Sequence, residues 1–359
     1  MPSTKSKVAV IFSNPDTVLD DIAVAMNLAE YSKYLSKTSA TALKINISWQ
    51  HYYPACSTTP WQLEGVIRSL RNDGYKNLMP THNGTVVVDA REGALNNKHT
   101  IVEEKYDLES VYLEETEWVD FVPKAPMMAL DKIYPNGFKI PKVLFGKNIV
   151  HLPTVKTHVF TTITGAMKNA FGGLLNFQRH WTHSLIHETL VDLLNIQKEI
   201  HPGIFAVTDG TFAGDGPGPR AMRWHKKNVI LASADQVAID AVVASMMGID
   251  PMSIKFIRLA HEAGLGSGDV SDIEVVGEDI KGINWKFKAG ESTFASRGQH
   301  LIYWGPLKPL ENLLLRSPVV PWAFFASNLY HNQYWLRFIG RKRIREAMKT
   351  DWGELFKNY

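Results

Sequence analysis

Cysteine is nearly absent from this chain: Cys56 is the one cysteine among 359 residues. That excludes an intrachain disulfide framework, and any four-cysteine zinc or iron–sulfur site built from this chain alone. It points to a reducing cytoplasm as the expected compartment. Long apolar runs are missing too. Residues 8–12 are too short for the core of a signal peptide, and the proline-interrupted stretch 319–330 falls short of the ~20 apolar residues that a spanning helix needs. Charge of one sign is not in excess: a formal net charge of +3 is too small for a general nucleic-acid binder, which needs a concentrated basic face. What is present, 45% hydrophobic and 21% charged residues, is globular material sufficient for one large core or two modest ones.

Short apolar strands alternate with helical patterns. Residues 8–12 read as a strand, 18–35 as a helix and 41–47 as a second strand, which is a β-α-β opening. Thr59 as cap, Pro60 at the first helical position and Gln62 three residues after the cap mark a helix start, with Gly74 as its stop. A third strand is expected at 85–89, while 95–147 carries no clear pattern. Ile186, Leu190, Leu193 and Leu194 share a helical face. Strands follow at 203–207, 228–232 and 271–276, and Asp235 begins a helix closed by Gly248. The expected fold is α/β, a mostly parallel sheet with flanking helices over 1–290. It leaves room for two lobes, at about 1–147 and 148–290, and is followed by a helical, aromatic-rich extension over 291–359.

Candidate chemistry is densest at 152–173, LPTVKTHVFTTITGAMKNAFGG. Lys156, His158, Lys168 and Asn169 fall around an expected strand-to-helix junction, with Thr164 and Gly165 opening the helix. Helix N-termini leave N–H groups unpaired and favour negative charge, so basic residues there suit a phosphate or carboxylate. Ligands of open α/β sheets sit beyond the carboxyl ends of the strands, where Asn46 falls; Asn46, Lys44 and Arg220, the last following the glycine-proline loop, are substrate-binding candidates. Asp209 and Asp215, beside the glycine-proline loop 214–219, are candidate oxygen ligands for a magnesium-type cation, or else turn formers. His180, His183 and His187 recur at three- and four-residue spacing, which on a helix would offer imidazoles to a transition metal, or else is polar packing. Asp240, inside its helix, is expected to face solvent, and Cys56 to be a packed residue.

Several short elements occur together: Lys44-Ile45-Asn46 with Thr59-Pro60 downstream, the Pro-x-x-Lys-Thr-His run ending at His158, and the Gly-x-x-Lys-Asn-x-x-Gly turn from Gly165 to Gly172. Asp209-Gly210 and the Gly-Asp-Gly-Pro loop from Gly214 to Pro217 complete the set. Over roughly 5–280 the chain thereby resembles the family called domain of unknown function 362. The resemblance implies no reaction. Many relatives look like iron–sulfur proteins through an added ferredoxin-like cysteine module, from which this chain departs. That company implies an alternative role as a non-catalytic carrier or assembly factor handling a cofactor or metal for a redox partner. His158, Gly165 and Lys168 are also spaced as in the element of nickel-pincer lactate racemases. That similarity implies an acid/base histidine, a cofactor-anchoring lysine, and His180 and His183 as metal ligands. The racemases favour a Gly-Gly-x-Lys turn, whereas Ala166-Met167 precede Lys168 here.

Beyond residue 288 tryptophan and tyrosine become frequent, and Arg337, Arg341, Lys342, Arg343 and Arg345 cluster. The segment suits aromatic anchors for a subunit interface or a lid, or a basic-aromatic helix on an anionic membrane face. The dispersed aromatics and the acidic Asp351 and Glu354 favour the former, hence a homo-oligomer. The expected function is an enzyme for a small anionic substrate. His158 would be its acid/base, titrating near the usual ~6.5, with Lys156 and Lys168 fixing the anion, for isomerisation, epimerisation or elimination.

Overall fold

The computed structural model describes residues 5–85, 88–315, 325 and 328–359. Its strands are β1 (Ser6–Phe12), β2 (Thr41–Ile45), β3 (Leu78–His82), β4 (Val111–Tyr112), β5 (Trp118–Phe121), β6 (Phe138–Pro141), β7 (Asn148–Leu152), β8 (Thr154–His158), β9 (Thr162–Ile163), β10 (Ile204–Asp215), β11 (Arg223–Ser233) and β12 (Ile273–Gly277). Ten share one sheet, in the order β12-β1-β11-β10-β7-β2-β3-β4, with β8 joined to β10 and β9 to β8; β5 and β6 pair separately. Its pairings are parallel except those of β11 with β1 and β10 and of β8 with β9. The expected α/β class holds, and the sheet takes strands from both sides of residue 147.

The strands read as continuous apolar runs because both faces of the sheet are covered. Val8, Val10, Ala42 and Ile149 face one core, under the helices Ile186–Ile200, Gln236–Met247 and Lys255–Glu262. Their chain neighbours Ala9, Leu43 and Val150 face the other, under Val18–Leu28 and Pro60–Asn72. This is the period-two alternation of a pleated strand. The expected capping box forms, with Thr59 Oγ1 accepting from Gln62 N–H and Gln62 Oε1 accepting from Thr59 N–H. Asp235 caps Gln236–Met247, and Gly248 closes it with φ +84°.

Several boundaries differ from expectation. The first helix stops at Leu28, and Glu30 takes φ 55°, which turns Tyr31 inward against Tyr75 and Phe205. The third strand is β3, not 85–89. Thr85 and Val88 form one isolated bridge, Val86 and Val87 lie outside the described residues, and Asp89 caps the next helix through Glu92 N–H at 2.9 Å. Instead of ending before Asp209, β10 runs on to Asp215 in a long hairpin with β11. Asp209 is therefore mid-strand.

The sheet forks at Pro153. β10 pairs first with β7, through Ile204 to Ala206, then with β8, through Asp209 and Gly214. At Pro153 the chain thus leaves its partner β2 and follows β10. The loop after β2 fills the fork, held by Thr58, whose Oγ1 accepts from Asn46 N–H (2.9 Å) and donates to the Leu152 carbonyl (2.6 Å).

The C-terminal segment packs on its own chain. Trp335 lies against Trp49 and Tyr53, Trp352 against Trp61, and Phe356 stacks on Tyr52. These aromatics belong to the segment read as a subunit interface or a lid, and they pack within the chain. Most of the stretch 319–330 lies outside the described residues. Among the described residues no helix is long and apolar enough to cross a membrane.

Candidate functional site

Lys156 and His158 lie on β8, not in a loop leading straight into a helix. β8 and β9 form a hairpin before the short helix Gly165–Asn169 begins. Lys156 is 1% exposed, and its Nζ donates to Asn46 Oδ1 (2.7 Å), Thr154 Oγ1 (2.6 Å) and the Cys56 carbonyl (3.0 Å). All three acceptors are neutral, and burial lowers its pKa to about 8. Lys44, also 1% exposed, donates to Asn83 Oδ1 (2.6 Å) and the Ile45 carbonyl (2.7 Å). Burial, then the Arg179 charge, lowers it to about 7. Lys168 is half-buried and has no hydrogen-bond acceptor among the described residues; its Nζ stands 5.2 Å from the centre of the Phe171 ring. Burial and the charges of Lys156 and Arg179 bring it to about 7.

The other expected binding residues are placed by these lysines. Asn169 Nδ2 donates to the Lys44 carbonyl (2.8 Å), tying the short helix to β2. Arg220 donates through Nε to the Ser48 carbonyl (2.9 Å), beside the loop that receives Lys156. Cys56 is packed as expected: Sγ donates to the Pro219 carbonyl (3.2 Å), and burial pushes the thiol up to about 11.

His158 departs from the behaviour expected of it. Phe160 N–H donates to its Nδ1 (3.1 Å), which places the proton of a neutral ring on Nε2. Burial, then Lys168, His183 and Lys156, hold its pKa well below the ordinary histidine value. At neutral pH it is an uncharged Nε2–H donor. Its neighbourhood is roofed by aromatic rings, with Phe160 packed against His183, His300, Tyr303 and Trp304. The helix Phe294–Tyr303 thus packs over Phe160 through His300 and Tyr303.

The helix N-terminus assigned to an anionic ligand is already occupied. Asp240, 1% exposed rather than facing solvent, accepts from Ala166 N–H (2.5 Å) and Met167 N–H (3.0 Å). Gly165 has φ +70°, and a β-carbon there would overlap the Asp240 carboxylate. An anion bound beside this turn would therefore have to be met by side-chain cations. Arg179, which sequence reasoning missed, is a cation whose charge acts on both Lys44 and Lys168. It donates to the carbonyls of Gly84 (2.9 Å) and Gly172 (3.3 Å), and lines a cleft of about 170 Å³ with Asn83, Glu114 and Lys139.

The proposed metal ligands do not converge. Asp209 is fully buried and turned to Thr59 Oγ1 (2.5 Å), Trp61 Nε1 (2.9 Å) and Thr211 N–H (2.6 Å), which donate to both its oxygens. Asp215 accepts from Arg223 (3.0 and 3.2 Å) and from Lys288 N–H (2.6 Å). The residues Phe177–Leu185 form tight 3-10 turns, so His180, His183 and His187 do not share one α-helical face. His183 Nδ1 is spent on the His180 carbonyl (2.9 Å), and burial lowers its pKa to about 3. Among the described residues no three His, Cys, Asp or Glu side chains are grouped to hold a metal.

Residues 41–245, more than half of the chain, match the family described as Domain of unknown function (DUF362). The chain belongs to that family. The matched span begins at β2 and ends within the helix Gln236–Met247, so it holds Lys44, Lys156, His158, Lys168 and Asp240. The chain is also similar to the Thylakoid-associated protein sll1697 of Synechocystis sp. (strain ATCC 27184 / PCC 6803 / Kazusa), with 28% identity over 124 residues, 33% of this chain and 37% of that protein. It thus covers little more than a third of that relative's length. No solved structure matches the chain.

Proposed function

We propose that this DUF362 protein is a cytoplasmic enzyme that binds a small phosphate- or carboxylate-bearing substrate and moves a proton on it, as in isomerisation, epimerisation or elimination. The observation that carries the reading is a set of basic groups lacking carboxylate partners among the described residues: Lys44 and Lys156 donate to neutral oxygens, and Lys168 has no acceptor there. Buried charge is costly unless paired, and here a bound anion would be the partner. Lys168, brought near neutrality, can exchange a proton at working pH. His158, kept neutral, can donate from Nε2 to an oxygen on which charge develops. Lys44 and Lys156 would hold the anionic group.

The test is solvent-deuterium incorporation, followed by NMR, into a panel of phosphorylated and carboxylated carbonyl compounds. Catalytic exchange of a proton beside the carbonyl by the wild-type protein, lost in Lys168→Met and slowed in His158→Ala, is the expected result. Tight stoichiometric binding without exchange would instead favour the carrier role that the iron–sulfur relatives imply.

A further inference from the structure

The helical segment Leu329–Gly340 carries apolar residues on both its sides. Inward, Trp335 is 4% exposed, and Leu336 and Ile339 pack against the core. Outward, Phe338 is 72%, Tyr334 55% and Leu329 52% exposed. The rings form a ladder that runs outward from half-buried Tyr330, with Tyr330 to Tyr334 at 6.1 Å and Tyr334 to Phe338 at 5.5 Å between centroids. A core-packing helix needs only its inner stripe apolar; a contiguous outer one marks an interaction surface.

Charge identifies the occupant. Arg337, Arg341 and Arg345, four residues apart and all exposed, follow the ladder and take no carboxylate partner among the described residues. Arg343, by contrast, turns inward, donating to the Met222 carbonyl at 2.6 Å. A second copy of the same face would set these guanidinium groups against their like, and protein interface cores are depleted of charge. An anionic bilayer complements them, because rings and aliphatic stems enter the interface while the charged ends stay at the headgroups. We infer that the outer face of Leu329–Gly340, with the basic residues following it, docks this protein peripherally on an anionic lipid surface. This inference does not depend on the reaction proposed for the lysine cluster.

The experiment is co-sedimentation of the full chain with vesicles of phosphatidylcholine alone or mixed with phosphatidylglycerol, alongside sedimentation velocity without lipid. The expected result is binding to the mixed vesicles only, weakened by salt. It should fall about a hundredfold in R337Q/R341Q/R345Q, at roughly fivefold for each basic residue near the surface, and be lost in Y334S/F338S. Circular dichroism of both variants checks the fold. Absence of binding to mixed vesicles overturns the inference, as does binding that Y334S/F338S leaves unchanged. A dimer that Y334S/F338S dissociates assigns the face to a second copy and overturns it too.

Discussion

A buried ammonium group is tolerated where neutral oxygens surround it, and Lys156 is held in this way by an amide, a hydroxyl and a carbonyl. Its pKa of about 8, and those of about 7 for Lys44 and Lys168, give binding a definite sign. An anion raises all three, so its affinity falls as pH rises through about 7–8, and binding at the upper end of that range takes up protons. Lys168→Met should weaken phosphate binding about tenfold or more, the scale of one lost charge-assisted hydrogen bond, with thermal unfolding unchanged or raised. Asp240 caps the short helix from within the core, where burial pushes its carboxyl up to about 7. Asp240→Ala leaves two buried N–H groups unpaired and should cost about 1–3 kcal/mol in urea unfolding; an unchanged midpoint would refute that role. The lysines were legible in the sequence because they stand in short motifs beside histidine and asparagine. Asp240 was not, since its partner helix lies more than seventy residues away in sequence and a lone aspartate inside a helix looks solvated. Arg179 was hidden in a histidine-rich stretch that invited a metal.

Elements with local chemical signals were readable, and those set by distant packing were not. The Thr59-Pro60-Gln62 start, the Asp235 cap and the Gly248 stop are decided within a few residues. β3 carries Pro80, which obscures a strand that only pairing with β2 reveals. The length of β10 likewise depends on β11, so Asp209 resembled a turn residue. In the C-terminal segment the aromatics were conspicuous, but their inward packing was not. Trp352, fully buried against Trp61, should cost about 3–5 kcal/mol when changed to alanine, and a loss below 1 kcal/mol in denaturant melts would contradict that packing. The cover over His158 makes a separate prediction. Phe160→Ala admits water, so the pKa of His158 should rise toward the ordinary value, as read by NMR titration.

Across the whole molecule the same physics sets acid stability. His99, His151, His183, His187 and His201 are lowered to about 3–4, and His158 well below normal, in each case chiefly by burial. A lowered histidine is protonated in the unfolded chain before the folded one, so its stabilisation is complete above pH ~6.5 and is lost as pH falls toward 4. Asp192, Asp209 and Asp240 are raised and act in the opposite sense, but the histidines outnumber them. Stability measured by urea unfolding should therefore fall between pH 6.5 and 4; a flat profile would contradict the burial of these rings. The most direct test of the central claim is calorimetric titration of inorganic phosphate into the full chain near pH 8, in two buffers of different ionisation enthalpy. One-to-one binding with proton uptake, abolished in Lys156→Met/Lys168→Met, is the predicted result, and binding that is absent or indifferent to those lysines would contradict it.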